Sequence, residues 1–399
     1  MRLLFSAINC TLDSSNGAAI SIRTFLRMLA RQGVECRSFS ASIYDRPAPG
    51  TALENIKATG ALPVQEPGMP QTLWLGQDEA VQHYIEFVPA MRQQDFPLAH
   101  EQLLLNRALA VLDAYQPDVL LLYGNRRYER TLLKVARERG IATVFYLVNP
   151  SYKDERNFEH VDLVFTDTEA TRTLYRERFG FDPKVIGKFI EPPKIPARTG
   201  ERGYVTFINP SVEKGVTLFY RILELATQTL PEAKFLVVES RKTLEEISER
   251  TNMPFGHFPN LRRVGLQRDM GAVFGATKVL LVPSLWHDSG PRVVVEACAL
   301  GIPLVTTDRG GVAELAGEAA IVIPPPEPLV RNHWLIPPVS EAIPWVEALR
   351  ALLTDESTYA HYHQAALDQW KRHDPALRLP GIVAMLDEAV AARRAARAP

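Results

Sequence analysis

The segment Val279–Leu315 constrains the fold of this 399-residue chain more than any other. It reads VLLVPSLWHDSGPRVVVEACALGIPLVTTDRGGVAEL. An apolar strand (Val279–Val282) is followed by a loop rich in polar and helix-breaking residues (Ser284–Pro291), a helical stretch, a second strand (Leu304–Thr306) and a Gly-Gly turn. Strand, helix, strand in that order is the unit of a parallel sheet with helices on its faces. In a doubly wound sheet such a loop lies at the carboxyl end of a strand, where these folds bind ligands. Two carboxylates bracket it: Asp288 in the loop, and Glu296 eight residues later on the helix.

The same alternation extends along the chain and predicts α/β architecture. In the first half, strands read as Leu3–Ile8, Glu35–Phe39, Val119–Leu122, Thr143–Val148 and Leu163–Thr166, with helices at Ala18–Arg31 and Arg127–Arg139. Residues 45–75, rich in Pro, Gly and Ala, read as a long surface excursion. A composition break at Glu191–Gly203, EPPKIPARTGERG, reads as an interdomain linker. A second run follows: strand Tyr204–Ile208, helix Val216–Thr229, strand Lys234–Val238, a strand near Arg263–Val264, and then Val279–Leu315. PPPEP at 324–328 closes it, and the tail from Ser340 reads as helical with breaks near Asp374–Pro375 and Leu379–Pro380. The expected division is an N-terminal domain over 1–196, a C-terminal domain over 197–376, and a last helix, 377–399, packing back on the first domain.

Composition excludes several function classes. A net charge of −1 supplies no basic field for nucleic acid. No apolar run reaches membrane-spanning length. The N-terminal MRLLFSAIN has one basic residue and a short apolar run, so it reads as a first core strand rather than a leader peptide. Cys10, Cys36 and Cys298 are scattered and odd in number, which fits a reducing cytoplasm without a disulfide framework. His361 and His363 fall on different faces of a helix with no third ligand near, and read as surface residues rather than metal ligands.

Glu296 has apolar neighbours (Val293–Val295, Ala297, Cys298), which suggest a buried segment where an unpaired carboxylate is costly. A carboxylate there can accept hydrogen bonds from two adjacent hydroxyls; the alternative is a helix salt bridge. Asp288 reads as a ligand contact, as a cap for the following helix, or as both. At residues 207–215, FINPSVEKG, a strand ends at Ile208 and a polar loop carries Lys214 and Gly215 into the next helix.

Together these residues resemble the donor-binding signature of glycosyltransferase family 4, whose members have the GT-B fold: two Rossmann-like α/β domains facing each other across a cleft. The resemblance implies retaining transfer of a sugar from a nucleotide-diphosphate sugar. It also turns Val293–Val295, which alone lean toward a strand, into part of a helix. By resemblance, Glu296 holds the ribose and Asp288, where the family more often has Glu, contacts the donor sugar and is the catalytic residue. Lys214 and the backbone amides of Arg292 and Val293, with Ser289 and Gly290 at the helix start, hold the diphosphate. Two positions depart from the pattern. Asn209 stands where a second cation is usual, with Arg292, Arg241 and Lys242 as candidates for supplying the charge; Pro291 brings no amide. Val264 and Leu266 are candidates for holding the base, with a plain edge strand as the alternative.

The loop 11–21 implies that Gly17, with Ala18, approaches the phosphates; the alternative is an ordinary strand–helix turn. Asn125 and Arg126 are acceptor candidates by position, and Asn149 stands where relatives carry a His. No Asp-x-Asp of metal-dependent transferases occurs, so metal-independent chemistry with no cofactor is expected. The acceptor class, whether carbohydrate, lipid-linked, peptide or small molecule, is open. The alternatives are a catalytically silent GT-B-like nucleotide-binding or scaffold protein, a sugar-nucleotide epimerase and a phosphorylase.

Overall fold

The computed structural model describes residues 1–64, 72–196, 201–240, 242–267 and 269–396. The chain divides into two compact units. Unit 1 holds Met1–Asp167, Thr171–Phe189 and the segment from Pro375; unit 2 holds Thr168–Ala170 and Ile190–Asp374. The first passage therefore comes at Asp167/Thr168 and the main one at Phe189/Ile190, ahead of the proline-rich stretch. Residues 197–200 of that stretch, residues 65–71 of the expected excursion, and Arg241 lie outside the described residues.

Unit 1 contains β1 (Arg2–Asn9), β2 (Glu35–Ile43), β3 (Leu62–Pro63), β4 (Leu73–Asp78), β5 (Val81–Glu86), β6 (Val119–Leu122), β7 (Ala142–Leu147), β8 (Leu163–Thr166) and β9 (Lys184–Val185). They form one sheet in the order β3-β4-β5-β2-β1-β6-β7-β8-β9. Leu3 to Ile8 are all buried because a central parallel strand is covered on both faces. One face packs Leu104, Leu112, Leu132 and Tyr175. The other packs Ile22, Phe25 and Leu29 together with Leu379, Ile382, Leu386 and Val390 of the terminal helix Pro375–Ala395.

Unit 2 contains β10 (Tyr204–Ile208), β11 (Lys234–Val238), β12 (Leu261–Val264), β13 (Thr277–Val282), β14 (Leu304–Thr306) and β15 (Ala320–Val322). Their order is β12-β11-β10-β13-β14-β15, every neighbouring pair parallel. This is the doubly wound, Rossmann-like order, and its direction of winding reverses between β10 and β13. Trp345, Leu349 and Leu352 of the helix Ile343–Thr354 close one face of the core.

Three expectations need correction. The excursion at 45–75 carries structure: a helix at Ala52–Lys57 with a capping box on Thr51 and Glu54, and then β3 and β4. β4 pairs antiparallel with β5 across a two-residue turn, a local hairpin in a sheet read as largely parallel. The expected break at Leu379–Pro380 does not occur, and the helix runs through Pro380. Proline lies close to this helix's start, and burial of Leu379 and Ile382 offsets the lost backbone bond. The break at Asp374–Pro375 does occur. His363 is half-buried, not a free surface residue: its Nδ1 lies 2.5 Å from the Gly301 carbonyl oxygen.

Among the described residues no helix is long and apolar enough to cross a membrane. The three cysteines are buried and unpaired with one another.

Candidate functional site

The two loops that leave β10 and β13 flank the point where the strand order of unit 2 reverses. They are the polar stretches 209–215 and 283–291. Backbone bonds tie them together: the amides of Leu285 and Trp286 donate to the Glu213 carbonyl at 2.9 and 3.0 Å. Gly215 makes that approach possible. Its φ is +82°, and a Cβ there would stand 1.9 Å from the Pro283 carbonyl oxygen. The Lys-Gly pair thus has a packing reason as well as a chemical one.

Lys214 and Asp288, one from each loop, meet at 2.5 Å from Nζ to Oδ1. The Ser284 hydroxyl donates to the other carboxylate oxygen of Asp288 at 2.8 Å. Asp288 does not cap the following helix, Arg292–Ala299, which has Pro291 as its cap residue without a side-chain cap bond. The Asp288 backbone is fixed as well, its carbonyl accepting from the Gly311 amide at 2.7 Å. The turn after β14 makes this contact. Gly310 has φ +60°, and a Cβ there would lie 2.5 Å from the Asp288 carbonyl oxygen. The next carbonyl, that of Ser289, accepts from the Thr168 hydroxyl at 2.7 Å.

The Arg292–Ala299 helix carries the second carboxylate. Glu296 is 5% exposed, and its Oε1 accepts from Arg292 Nη2 at 2.7 Å, one helical turn back. Both the buried setting and the salt bridge read from sequence are therefore present. Two donors at this helix start, Ser289 Oγ and Arg292 Nη1, are buried without a hydrogen-bond partner among the described residues. Buried donors without partners are costly and mark places where a ligand can complete the bonding. The first-turn amides of a helix add further donors and a positive dipole end.

Asn209 lies at the start of the first loop with φ +62°, its amide donating to the Val238 carbonyl. Asn tolerates this left-handed conformation better than most residues, which gives its presence there a backbone reason. Lys242 lies just before the helix Leu244–Thr251 and pairs with Glu246 of that helix at 3.3 Å. Val264 and Leu266 lie at and after the end of edge strand β12. The Val264 carbonyl accepts from the Glu239 amide at 2.8 Å, and Leu266 is 46% exposed.

In unit 1, Gly17 opens the helix Gly17–Arg31, and nothing would obstruct a Cβ there. The amide of Ala18 is already taken by the Asn16 side chain at 2.9 Å. Asn125 is exposed at the end of β6. Arg126 serves locally, with its Nε on Glu101 Oε2 at 3.2 Å and its amide on Glu129 Oε2 at 2.9 Å. Burial pushes the Glu129 carboxyl up to about 7. Asn149 makes an Asx turn with the Ser151 amide at 2.8 Å.

The structure thus brings Lys214, Asp288, Ser289, Gly290, Arg292, Val293 and Glu296 to one end of one sheet, with Asn209 on the neighbouring strand end. It places Val264 and Leu266 at the edge of that sheet, and Gly17, Asn125, Arg126 and Asn149 on unit 1. Sequence reading missed Ser284, Gly310 and Thr168. The Gly-Gly turn was a signal for the second; nothing in sequence marks Thr168, 120 residues before Asp288. Among the described residues no cluster of three His, Cys, Asp or Glu is disposed to hold a metal ion.

Residues 203–355 match the family model described as Glycosyl transferases group 1. No curated protein sequence matches the chain. Among solved structures, sucrose-phosphate synthase from Thermosynechococcus elongatus is similar with a TM-score of 0.68 at 13% identity, over 98% of this chain and 100% of that one. The Anabaena protein HepE, solved with UDP and glucose, gives 0.65 at 16% identity, over 97% and 100%. A glycosyltransferase from Rickettsia africae gives 0.63 at 11% identity, over 98% of each chain. Likeness at these identities concerns the fold, which is GT-B. With the group 1 match over the region that holds the two loops, it bears out the resemblance to family 4 glycosyltransferases.

Proposed function

We propose that this chain, a family-4-like glycosyltransferase on the GT-B fold, moves a sugar from a nucleoside-diphosphate sugar to an acceptor hydroxyl with retention of configuration and without a metal. The observation that carries the reading is the Lys214–Asp288 contact, which joins the loops on either side of the reversal of strand order in unit 2. Ligands of doubly wound sheets bind at that point.

In this reading the Glu296 carboxylate accepts from the ribose hydroxyls. The Arg292 and Val293 amides and the Lys214 ammonium face the diphosphate, and Asp288 accepts from hydroxyls of the donor sugar. The bond between the anomeric carbon and the phosphate oxygen breaks, and the acceptor oxygen bonds that carbon on the same face. The acceptor proton passes to the departing phosphate oxygen, so no protein base is required. The charge developing on the leaving group is met by Lys214 and the helix start, groups fixed before reaction. This is why a metal is not needed to neutralise it. UDP is the first nucleotide to try, because the similar HepE structure was solved with UDP and glucose. The acceptor contacts are proposed on unit 1, with exposed Asn125 as the first candidate. Three buried free thiols suit a cytoplasmic setting.

The test is a thermal-shift screen against UDP, GDP, ADP, dTDP and CDP, with EDTA and with magnesium. A stabilisation by one base that is equal in both conditions supports the reading. A shift that appears only with magnesium contradicts the metal-free part, and no shift with any of the five contradicts the donor site.

A further inference from the structure

Arg292 opens the helix Arg292–Ala299, and Glu296 follows it by one turn. Helix energetics do not favour this arrangement. A cation in the first turn opposes the helix dipole, and a basic residue N-terminal to an acidic one is the weaker order for a pair four apart. The pair is also largely buried, with side-chain exposures of 20% for Arg292 and 7% for Glu296, so it costs desolvation. A reason for it must lie outside the helix.

The guanidinium itself supplies one. Its Nη2 donates to Glu296 at 2.7 Å, while its Nη1 is buried with no partner among the described residues. Three residues earlier, Ser289 Oγ is in the same condition, on a residue 3% exposed. Both flank a helix start whose first amides also seek an acceptor. An acceptor oxygen satisfies this set, and an anionic one also matches its positive charge. A planar fork suits the task, because a guanidinium serves two acceptors in fixed geometry and an ammonium does not.

We propose that Arg292 is a bridging cation in the nucleotide site: one guanidinium nitrogen orients Glu296 and the other donates to a phosphate oxygen of the nucleoside diphosphate. The proposal rests on the donor-site reading above. It supplies from the helix the second positive charge that Asn209 does not bring. It also makes the phosphate and ribose contacts interdependent, since one side chain holds both.

The experiment is calorimetric titration of wild type, Arg292→Met and Arg292→Lys with UDP, GDP, ADP, dTDP and CDP. The nucleoside of whichever diphosphate binds is then measured by displacement. The quantity read is the ratio of the nucleoside Kd to the diphosphate Kd. Loss of a charge-assisted phosphate contact predicts that Arg292→Met lowers this ratio by about tenfold or more. Arg292→Lys, which cannot serve both acceptors, lowers it as well and carries the test if the methionine variant does not fold. If Arg292 merely orients Glu296, both affinities fall by the same factor, the ratio stays at the wild-type value, and the bridge is refuted while the donor site stands. If none of the five diphosphates binds wild type, the bridge and the donor site fall together.

Discussion

Gly215→Ala tests whether the donor site depends on how closely the two loops approach. The added Cβ would sit 1.9 Å from the Pro283 carbonyl oxygen, and the backbone there has φ +82°. Bringing that contact to an ordinary separation requires a shift of roughly 1 Å or more, and packed backbone yields such a shift only by moving a loop. The left-handed conformation costs a non-glycine residue about 1–2 kcal/mol. Weakening the bonds from Leu285 and Trp286 to Glu213 adds about 1 kcal/mol each. The total is about 3–4 kcal/mol, of which the clash accounts for about half.

Gly33→Ala is the matched control: its φ is +86°, and nothing lies within 4 Å of the Cβ position. It carries the conformational cost alone, about 1–2 kcal/mol. Urea denaturation of both variants should therefore show Gly215→Ala less stable by about 2 kcal/mol. Transfer activity should fall about 100-fold in Gly215→Ala, because a shift of that size separates Lys214 from Asp288, and stay near wild type in Gly33→Ala. Equal destabilisation of the two variants with undiminished transfer activity in Gly215→Ala would show that the site does not depend on this close approach.

Three further outcomes are expected. Glu296→Gln should weaken nucleoside-diphosphate binding by about ten- to a hundredfold, the worth of a charged hydrogen bond, in calorimetry; unchanged affinity in a folded variant rejects the ribose role. Asp288→Asn should leave nucleoside-diphosphate affinity within about threefold while cutting kcat by about 100-fold; equal losses in both would place Asp288 on the nucleotide or in the scaffold. Glu129→Gln concerns pH. Native Glu129 titrates at about 7 against an ordinary 4.5, so between those values the folded state binds more protons than the unfolded one, and stability falls as pH rises. Relative to wild type, Glu129→Gln should gain at most about 3 kcal/mol from pH 4.5 to 8, measured by denaturation at both pH values; a constant difference contradicts the raised carboxyl. The comparison must be to the variant, because His83, held down to about 4 by burial, contributes the opposite slope below pH 6.5.

Much of this architecture was legible because parallel strands buried on both faces write themselves as continuous apolar runs. Val119–Leu122, Tyr204–Ile208 and Lys234–Val238 match the structure residue for residue. β3 and β4 were not legible, since their short runs are broken by Gly and Pro and depend on pairing with β5. Pro380 misled for a related reason: local propensity announces a break, and tertiary burial overrides it. At the site, Lys214, Asp288 and Glu296 were readable from types and spacing on two strand–loop–helix units. Their partners were not. Ser284 is an ordinary polar residue after a strand, and Thr168 reaches Ser289 only through the chain's passage into unit 2. The Arg292–Glu296 pair had a visible spacing, yet spacing alone does not separate a surface ion pair from one buried beside an unpartnered donor.

Hydrogen–deuterium exchange with and without the five nucleoside diphosphates reports directly whether unit 2 holds the donor. One of them should slow exchange in two stretches of unit 2, the loop at 209–216 and the loop and helix start at 284–297, and do so equally in EDTA. Exchange unchanged in both stretches under a saturating nucleotide, or protection confined to unit 1, would contradict a donor site in unit 2.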